Sequence, residues 1–230
     1  MIPESSLESL AWAFVYMDKE RQHREEIVRF GRMLHQKDYV AATDGNLTVR
    51  LDAERILATP TGMSKGMLDP DDLVVVDLQG RKIAGSRAVS SEIGMHLLIY
   101  RLRSDISGIV HAHPVTATGY AAAGIELDEA LLPEVVLSLQ GSIPLCRYAT
   151  PGTAELAAAL EPLISQHDAI LMANHGVVTY GTSLLHAYMK METVEHFAKI
   201  ALVTRLLGKQ QPLSEAEVER LAAARIRDLT

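Results

Sequence analysis

Two histidines separated by one residue end an apolar segment, GIVHAH, that has the composition of a buried β-strand. Because alternate side chains of a strand point to the same face, we expect His111 and His113 to stand side by side, about 6 to 7 Å apart along the chain. Two imidazoles in this arrangement can chelate a divalent cation. A catalytic zinc site needs a third protein ligand and a position left open for water or substrate.

His175 is the best candidate for the third ligand. It follows the apolar segment DAILMAN and precedes GVVTYG, which predicts a strand, a turn and a strand in the same sheet as GIVHAH. A side chain at such a junction projects from the end of the sheet, and Gly176 allows another part of the backbone to approach closely. A single histidine in a turn is usually a hydrogen-bonding or surface residue, so the prediction rests on all three histidines together.

A second informative stretch, AVSSEIGMHLLIY, places Ser90, Ser91 and Glu92 at the start of a predicted helix. Serine is a favoured helix cap and an acidic residue is favourable near the positive end of the helix dipole, so the pattern has a purely structural explanation. The functional alternative is an anion site made by the hydroxyls and free amides, with Glu92 beside it for proton transfer or metal ligation. Both alternatives stay open on these residues alone.

Two further loops offer small polar groups. TDGNLTVR contains Asn46, and ATPTGMSKGML contains Thr59, Thr61 and Gly62. Either loop can be a simple turn between strands. Their amides and hydroxyls are equally the groups that cradle a phosphate.

The elements that must position these residues indicate an α/β fold. We predict a three-layer sandwich with a mainly antiparallel central sheet flanked by helices. A meander of about three strands should occupy residues 44 to 80, and a long helix should run from about Leu184 to Leu207 and end at Gly208. Two helices are expected between about Leu7 and Gln36, the second with one apolar face formed by Ile27, Phe30, Met33 and Leu34.

Length and composition bound the remaining possibilities. The 230 residues, 48% hydrophobic and 22% charged, predict one folded domain over 1–230, with 1–28 as a helical N-terminal extension. The net charge of −7 gives no reason to expect nucleic acid or an anionic membrane as a partner. A single cysteine, Cys146, an N-terminus unlike a secretory signal and the lack of a membrane-spanning apolar run predict a cytoplasmic protein.

The motifs GNLTVR, TPTGM, SSE, HAH and NHG, in this order and spacing, resemble the class II aldolase/adducin family over about Arg29 to Gly208. The resemblance implies a homotetramer with its site near a subunit interface. It also implies Zn²⁺ as cofactor, Glu92 as acid/base and as a further metal ligand, and a phosphorylated sugar as substrate. The zinc ligands that it implies are His111, His113 and His175, and the phosphate contacts are Asn46, Thr61, Gly62, Ser90 and Ser91.

The chemistry implied by the resemblance is cleavage of a 1-phosphoketose to dihydroxyacetone phosphate and an aldehyde. A divalent cation would stabilise the enediolate charge in place of a Schiff base. Members of the family that catalyse this reaction use tyrosines for the aldehyde end, but the C-terminal AAARIRDLT has none. Glu134, in the segment LLPEVVLSLQGSIP, is either a second acid/base or a surface carboxylate in a loop, so the aldehyde is left open.

Three alternatives remain at this point. A pentulose-5-phosphate 4-epimerase and a decarboxylase of a phosphorylated 3-keto sugar acid would use the same metal and phosphate sites, and their products would distinguish them from an aldolase. An adducin-like binding module would keep the fold without the chemistry. Retention of all three histidines and Glu92 favours an enzyme.

Overall fold

The computed structural model of the protein describes residues 4–228, with side chains described from residue 19 to 224. The strands are β1 (Asn46–Arg50), β2 (Arg55–Ala58), β3 (Val74–Asp77), β4 (Lys82–Ala84), β5 (Gly108–Ala112), β6 (Leu145–Cys146), β7 (Ala169–Met172) and β8 (Gly176–Gly181). The α-helices are α1 (Glu4–Gln36), α2 (Ile93–Leu102), α3 (Val115–Ala122), α4 (Pro133–Leu139), α5 (Ala154–Ile164), α6 (Leu184–Leu206) and α7 (Glu215–Asp228). Within residues 4–228, no helix combines the length and apolar character needed to cross a membrane.

The strands form one sheet in the order β4-β3-β2-β1-β5-β8-β7-β6. Every neighbouring pair is antiparallel except β6 and β7, which are parallel. The strand that carries the His-x-His segment, β5, lies in the middle of the sheet between β1 and β8. The predicted mainly antiparallel sheet is therefore confirmed, and its central strand β5 carries His111 and ends one residue before His113.

Successive strand residues pack into two hydrophobic cores, one on each face of the sheet. On β3, Val75 belongs to the core formed with α1, α3, α4 and α6, whereas Val74 and Val76 belong to the core formed with α2 and α5. This alternation is the period of two expected for a strand that is buried on both faces. The predicted three-layer α/β sandwich is confirmed.

The N-terminal region forms one helix, α1, where the sequence predicts two. Its apolar face is the predicted one, because Ile27, Phe30 and Leu34 are buried and Met33 packs at the edge of the same core. No proline or glycine occurs between Glu4 and Phe30, so nothing in the chain ends the helix earlier. The boundary predicted at residue 28 falls inside α1, and the single-domain organisation stays a prediction.

Four elements lie outside the sequence predictions: β4, β6, α4 and α7. The α4 helix occupies the segment that we interpreted as a loop around Glu134. It starts with proline at its first position, which suits that residue, and ends at Gln140 with a φ of 64°. Strands of two and three residues and a helix of seven residues are too short to show a clear hydrophobic period.

Asp168, directly before β7, joins three parts of the fold through a buried ion-pair cluster. Its carboxylate accepts hydrogen bonds from Arg103 at 3.1 Å and from Lys190 at 2.8 Å. Burial opposes ionisation of this side chain, but Lys190 and Arg103 together lower the pKa of the Asp168 carboxyl below its ordinary value. Asp168 is therefore ionised in the folded protein, and it neutralises two partly buried cations.

We predict that this cluster makes stability depend on pH. Because the pKa of Asp168 is lower in the folded than in the unfolded chain, its stabilisation is complete above the unfolded value of about 4 and is lost as pH falls through the folded value. Asp168→Asn should lower the free energy of unfolding by about 3 kcal/mol at neutral pH, because Lys190 loses its ion pair and Arg103 keeps only the one with the more exposed Asp105. Urea unfolding at a series of pH values should show that the free energy of unfolding falls more steeply with acid in wild type than in Asp168→Asn. Equal slopes in the two proteins would contradict the assignment.

Candidate metal centre

His111 is fully buried on β5 and has one ring nitrogen fixed by the neighbouring strand. Its Nδ1 lies 2.9 Å from the backbone oxygen of Val177 on β8. A carbonyl can only accept, so Nδ1 carries the proton and donates it to Val177. In the neutral ring the Nε2 lone pair then points away from that carbonyl and is available to a ligand.

His113 lies just beyond the end of β5 and directs its Nε2 to the same place. The Nε2 atoms of His113 and His111 are 3.1 Å apart, while His113 Nδ1 is 3.6 Å from Asp44 Oδ2. The backbone N–H of His113 donates to the Tyr39 carbonyl at 2.8 Å. Burial and the neighbouring imidazoles of His111 and His175 lower the pKa of His113 to about 3, so its ring is neutral at physiological pH.

The helix that follows His113 is capped by a residue from another helix. Pro114 is the N-cap residue of α3 and provides no side-chain acceptor. Instead, the carboxylate of Glu195 on α6, 1% exposed, accepts hydrogen bonds from the backbone N–H groups of Thr116 and Ala117. An anion at this end of α3 also complements the helix dipole. This contact fixes the direction of the chain immediately after His113.

His175 lies in the turn between β7 and β8, as predicted. The turn requires a left-handed backbone at Asn174, with a φ of 55°. Gly176 follows, and a Cβ at this position would lie 2.5 Å from His113 Cδ2 and 2.7 Å from the Ala112 carbonyl oxygen. The predicted close approach at Gly176 is therefore confirmed, and it is the approach that lets His175 and His113 face each other.

Glu92 is the N-cap residue of α2, at the start of the predicted helix, and its side chain makes no capping hydrogen bond. Its carboxylate turns to the histidines: Oε2 lies 3.3 Å from His111 Nε2, and Oε1 lies 3.1 Å from His175 Nε2. Burial opposes ionisation of Glu92, whereas a proton on either facing imidazole would hold the pKa of its carboxyl well below its usual range. The Glu92 side chain therefore does not cap the helix, and its functional role stays a prediction.

The geometry of these four side chains suits a divalent cation. One potential ligand atom from each of the three imidazoles lies within 4.8 Å of the other two, and the ring centroids are 4.8, 4.9 and 5.2 Å apart. The buried Oε1 of Glu92 receives no hydrogen bond. Lone pairs gathered in one buried space are unfavourable unless a proton or cation lies between them. Imidazole nitrogens with a carboxylate oxygen are the donor set that zinc and related ions prefer.

The predicted phosphate contacts lie mainly on exposed loops beside Glu92. Pro60 pairs with Val89 in an isolated antiparallel bridge, which places Thr61 and Gly62 next to the segment that carries Ser90. Gly62 has a φ of 70°, and a Cβ there would meet nothing within 4 Å, so this loop borders open space. Phosphate binding by these groups stays a prediction.

Ser90 and Ser91 continue this surface. Ser90 Oγ accepts a hydrogen bond from the Glu92 backbone N–H at 3.3 Å, so its lone pairs are partly occupied within the loop. Ser91 is exposed, and its carbonyl oxygen lies 3.1 Å from the position that a Cβ on Gly152 would take. The hydroxyl of Ser90 is thus bonded to Glu92, and anion binding by the two serines stays a prediction.

Asn46 differs from the other predicted phosphate contacts because both ends of its amide are bonded within the protein. Its Nδ2 donates to Glu92 Oε2 at 2.8 Å, and its Oδ1 accepts a short hydrogen bond from His96 Nε2. A phosphate contact from Asn46 would require the amide to leave one of these partners. Thr59 is also internal, since its hydroxyl accepts a hydrogen bond from the backbone N–H of Leu47.

Glu134 is exposed in the first turn of α4, which packs against α6 and α7. Its role as a second acid/base stays a prediction. Sequence reasoning missed three residues that support the site: Asp44, His96 and Glu195. For His96 a signal was available, because it follows Glu92 by four residues, a spacing that puts both on one side of a helix.

Comparison with known proteins agrees with this geometry. The family described as Class II Aldolase and Adducin N-terminal domain matches residues 25–202. A 3-oxo-tetronate 4-phosphate decarboxylase of Pectobacterium atrosepticum is 36% identical over 190 residues, 81% of this chain and 87% of that protein. A 5-deoxy-D-ribulose 1-phosphate aldolase of Bacillus thuringiensis serovar kurstaki is 34% identical over 205 residues, 88% of this chain and 94% of that protein.

A solved structure of an L-fuculose 1-phosphate aldolase superimposes with a TM-score of 0.82 at 33% identity, covering 87% of this chain and 94% of that one. The fold and the relatives define the protein as an enzyme. The chain belongs to the class II aldolase/adducin family. Enzymes of this class depend on a divalent metal, which matches the donor set formed by the three imidazoles.

We predict that Gly176→Ala displaces His113 and weakens zinc binding at least about tenfold, because the new methyl group would overlap the imidazole. Calorimetric titration of metal-free protein with zinc measures the change. Gly119→Ala is the matched control, since a Cβ at this helical position meets nothing within 4 Å. Equal zinc affinity in the two variants would contradict the proposed role of the close approach.

Proposed function

We propose that the protein is a zinc-dependent class II aldolase that cleaves a 1-phosphoketose to dihydroxyacetone phosphate and an aldehyde. The substrate class is that of L-fuculose 1-phosphate or a 5-deoxypentulose 1-phosphate. The single observation that carries this proposal is the convergence of three imidazoles, from β5, from the residue just after it and from the β7–β8 turn, with the carboxylate of Glu92.

His111, His113 and His175 are the proposed ligands of the zinc ion, and Glu92 is a fourth donor while no substrate is bound. A divalent cation supplies Lewis-acid stabilisation of negative charge on substrate oxygen atoms, so that no Schiff base with lysine is needed. The four side chains are held in place before a metal or substrate binds. Each of them is carried by an element that packs on or belongs to the sheet, so little reorganisation is needed during the reaction.

Glu92 is the proposed proton carrier. Breaking the C3–C4 bond of the ketose leaves the electron pair on C3, and protonation of C3 completes dihydroxyacetone phosphate. In the reverse direction the ionised Glu92 takes that proton away. Positioned acid/base groups typically contribute about 10² to 10⁴ in rate.

The aldehyde end requires a second group that removes the proton of the C4 hydroxyl as the new carbonyl forms. We propose Glu134 or a residue of a neighbouring subunit for this role. A homotetramer with the site near a subunit interface would bring such a residue close. Exposed apolar side chains on α6, among them Leu202, Val203 and Leu206, support association of subunits. A cytoplasmic location is part of the same proposal.

The phosphate of the substrate is proposed to bind beside Glu92 at the Thr61–Gly62 loop and at Ser90 and Ser91. Asn46 would contact it only by giving up its hydrogen bond to Glu92 or to His96. These groups offer hydroxyls and backbone amides on a surface that is open to solvent. Binding the unreactive end of the substrate there orients the C3–C4 bond against the metal centre and Glu92.

A decarboxylase acting on a 3-oxo acid phosphate is a second candidate. It is favoured by the Pectobacterium relative, which is as similar to this chain as the aldolases are. Loss of carbon dioxide from such an acid also leaves an electron pair next to a carbonyl. The same ligands and the same proton carrier would therefore serve both reactions, and only the leaving group differs.

The decisive experiment is a substrate screen that measures both products. Purified protein is incubated with L-fuculose 1-phosphate, 5-deoxy-D-ribulose 1-phosphate or 3-oxo-tetronate 4-phosphate, with a chelator or with added zinc. We expect an aldehyde and dihydroxyacetone phosphate from a 1-phosphoketose, lost with the chelator and restored by zinc. Release of carbon dioxide from the 3-oxo acid alone would favour the second candidate, and chelator-resistant turnover would contradict the proposed metal chemistry.

We predict that His113→Ala abolishes zinc binding and turnover together, because it removes one of three ligands. Glu92→Gln should lower kcat by about 10² to 10⁴ while zinc stays bound, because the amide cannot carry the proton. Elemental analysis and steady-state kinetics on the same preparations measure both effects. Wild-type turnover in His113→Ala would end the metal-site argument.

A charge placed at Gly62 should test the phosphate site. Asparagine and aspartate both tolerate its positive φ and have nearly the same shape, so Gly62→Asn is the matched control for Gly62→Asp. We predict that the KM for a phosphorylated substrate is at least about tenfold higher in Gly62→Asp, with kcat little changed, because the carboxylate repels the phosphate. Equal KM values would place the phosphate elsewhere.

A further inference from the structure

Behind Glu92, four buried polar side chains form one continuous line. Asn46 and Thr48 lie two residues apart on one face of β1, and His96 and Tyr100 lie four residues apart on the facing side of α2. Their exposed fractions are 4%, 2%, 1% and 2%. Buried polar groups are unfavourable unless they are hydrogen-bonded, and here each one is bonded to the next.

The line reaches the carboxylate without a break. Asn46 Nδ2 lies 2.8 Å from Glu92 Oε2, and Asn46 Oδ1 forms a short hydrogen bond with His96 Nε2. On the other side of the imidazole, Nδ1 lies 2.8 Å from Thr48 Oγ1. Thr48 Oγ1 lies 3.0 Å from the Tyr100 hydroxyl, which is nearer than the alternative acceptor of that hydroxyl, the Ser107 carbonyl at 3.4 Å.

The direction of every bond follows from the carboxylate. An ionised Glu92 can only accept, so the atom of Asn46 that faces it must be the amide nitrogen. The Asn46 oxygen then faces His96, which must donate from Nε2. Since a neutral imidazole carries one proton, His96 Nδ1 accepts from the Thr48 hydroxyl. The Thr48 oxygen in turn accepts from Tyr100.

We infer that His96 is a positioning residue for Glu92, and that Thr48 and Tyr100 set its tautomer so that all donors in the line point toward the carboxylate. Bonds aligned in this way polarise one another and strengthen the last one, which holds the Glu92 side chain in a single orientation. Burial lowers the pKa of His96 to about 3, which agrees with a ring that carries one proton. The kinetic part of this inference rests on the function proposed above.

Thr48 gives the sharpest kinetic test, because its shape and its hydroxyl can be removed separately. Thr48→Val keeps the shape and loses the hydroxyl, whereas Thr48→Ser loses a methyl group and keeps the hydroxyl. We expect kcat to fall at least about tenfold in Thr48→Val, with KM and zinc content unchanged, and to stay within about twofold of wild type in Thr48→Ser.

Thr179→Val is the matched control, since Thr179 is a buried strand residue on β8 whose hydroxyl donates to the Ala187 carbonyl at 2.8 Å. We expect this variant to lose stability as Thr48→Val does but to keep its kcat. A larger kcat loss in Thr48→Ser than in Thr48→Val, or equal losses in Thr48→Val and Thr179→Val, would overturn the inference.

A second measurement does not depend on turnover. In protein labelled with ¹⁵N-histidine, we expect a solvent-protected imidazole N–H signal of the Nε2 tautomer that is absent from His96→Gln. A His96 signal of the Nδ1 tautomer, or no protected signal that His96→Gln removes, would overturn the inference whatever the substrate is. The expected tautomer in a protein that turns over none of the tested substrates would instead count against the proposed function alone.

Discussion

The hydrogen bond from His111 Nδ1 to the Val177 carbonyl decides which face of the imidazole can act as a ligand. The bond engages Nδ1 with the neighbouring strand and leaves Nε2 free at the end of β5. His113 Nε2, His175 and the Glu92 carboxylate lie around this second nitrogen. A space with so many acceptors and so few protons is stable only if positive charge can enter it. The rest of the site is arranged around this requirement.

The framework that meets the requirement is the centre of the sheet and the elements joined to its end. Strands β5 and β8 pair along their length, so the turn before β8 brings His175 to the end of β5. Gly176 removes the side chain that would otherwise separate His175 from His113. On one face of the sheet, Glu195 on α6 caps α3, the helix that follows His113. On the other face, Asn46 of β1 donates a hydrogen bond to Glu92 at the start of α2. Groups far apart in sequence are thus fixed before any ligand binds, as catalytic preorganisation requires.

The sequence was sufficient for the parts of the site that follow from a short period or from a single turn. The spacing of His111 and His113 predicted that their side chains point to the same face, and the Asn-His-Gly turn predicted the position of His175. The role of Asn46 could not be deduced in this way. A turn next to a strand predicts exposed amides, whereas the structure buries this one between Glu92 and His96. Only the packing of α2 on β1 determines that pairing, and no local pattern encodes it.

The fold shows the same division between local and long-range information. Strands made of short apolar, β-branched runs between turn residues and the long α6 helix were predicted, because these signals are local in the sequence. The continuous α1 was predicted as two helices, because no local signal shows whether neighbouring helical stretches join into one. Short elements such as α4 and β6 form because neighbouring elements bury them, and tertiary contacts of this kind override weak local preference.

X-ray absorption spectroscopy of the zinc-loaded protein identifies the atoms bound to the metal. We expect one zinc ion per chain with three imidazole nitrogens at about 2.0 to 2.1 Å and an oxygen ligand at about 2.0 to 2.2 Å. A first shell without imidazole, or zinc bound in less than stoichiometric amount by fully folded protein, would contradict the convergence of His111, His113 and His175 on one cation.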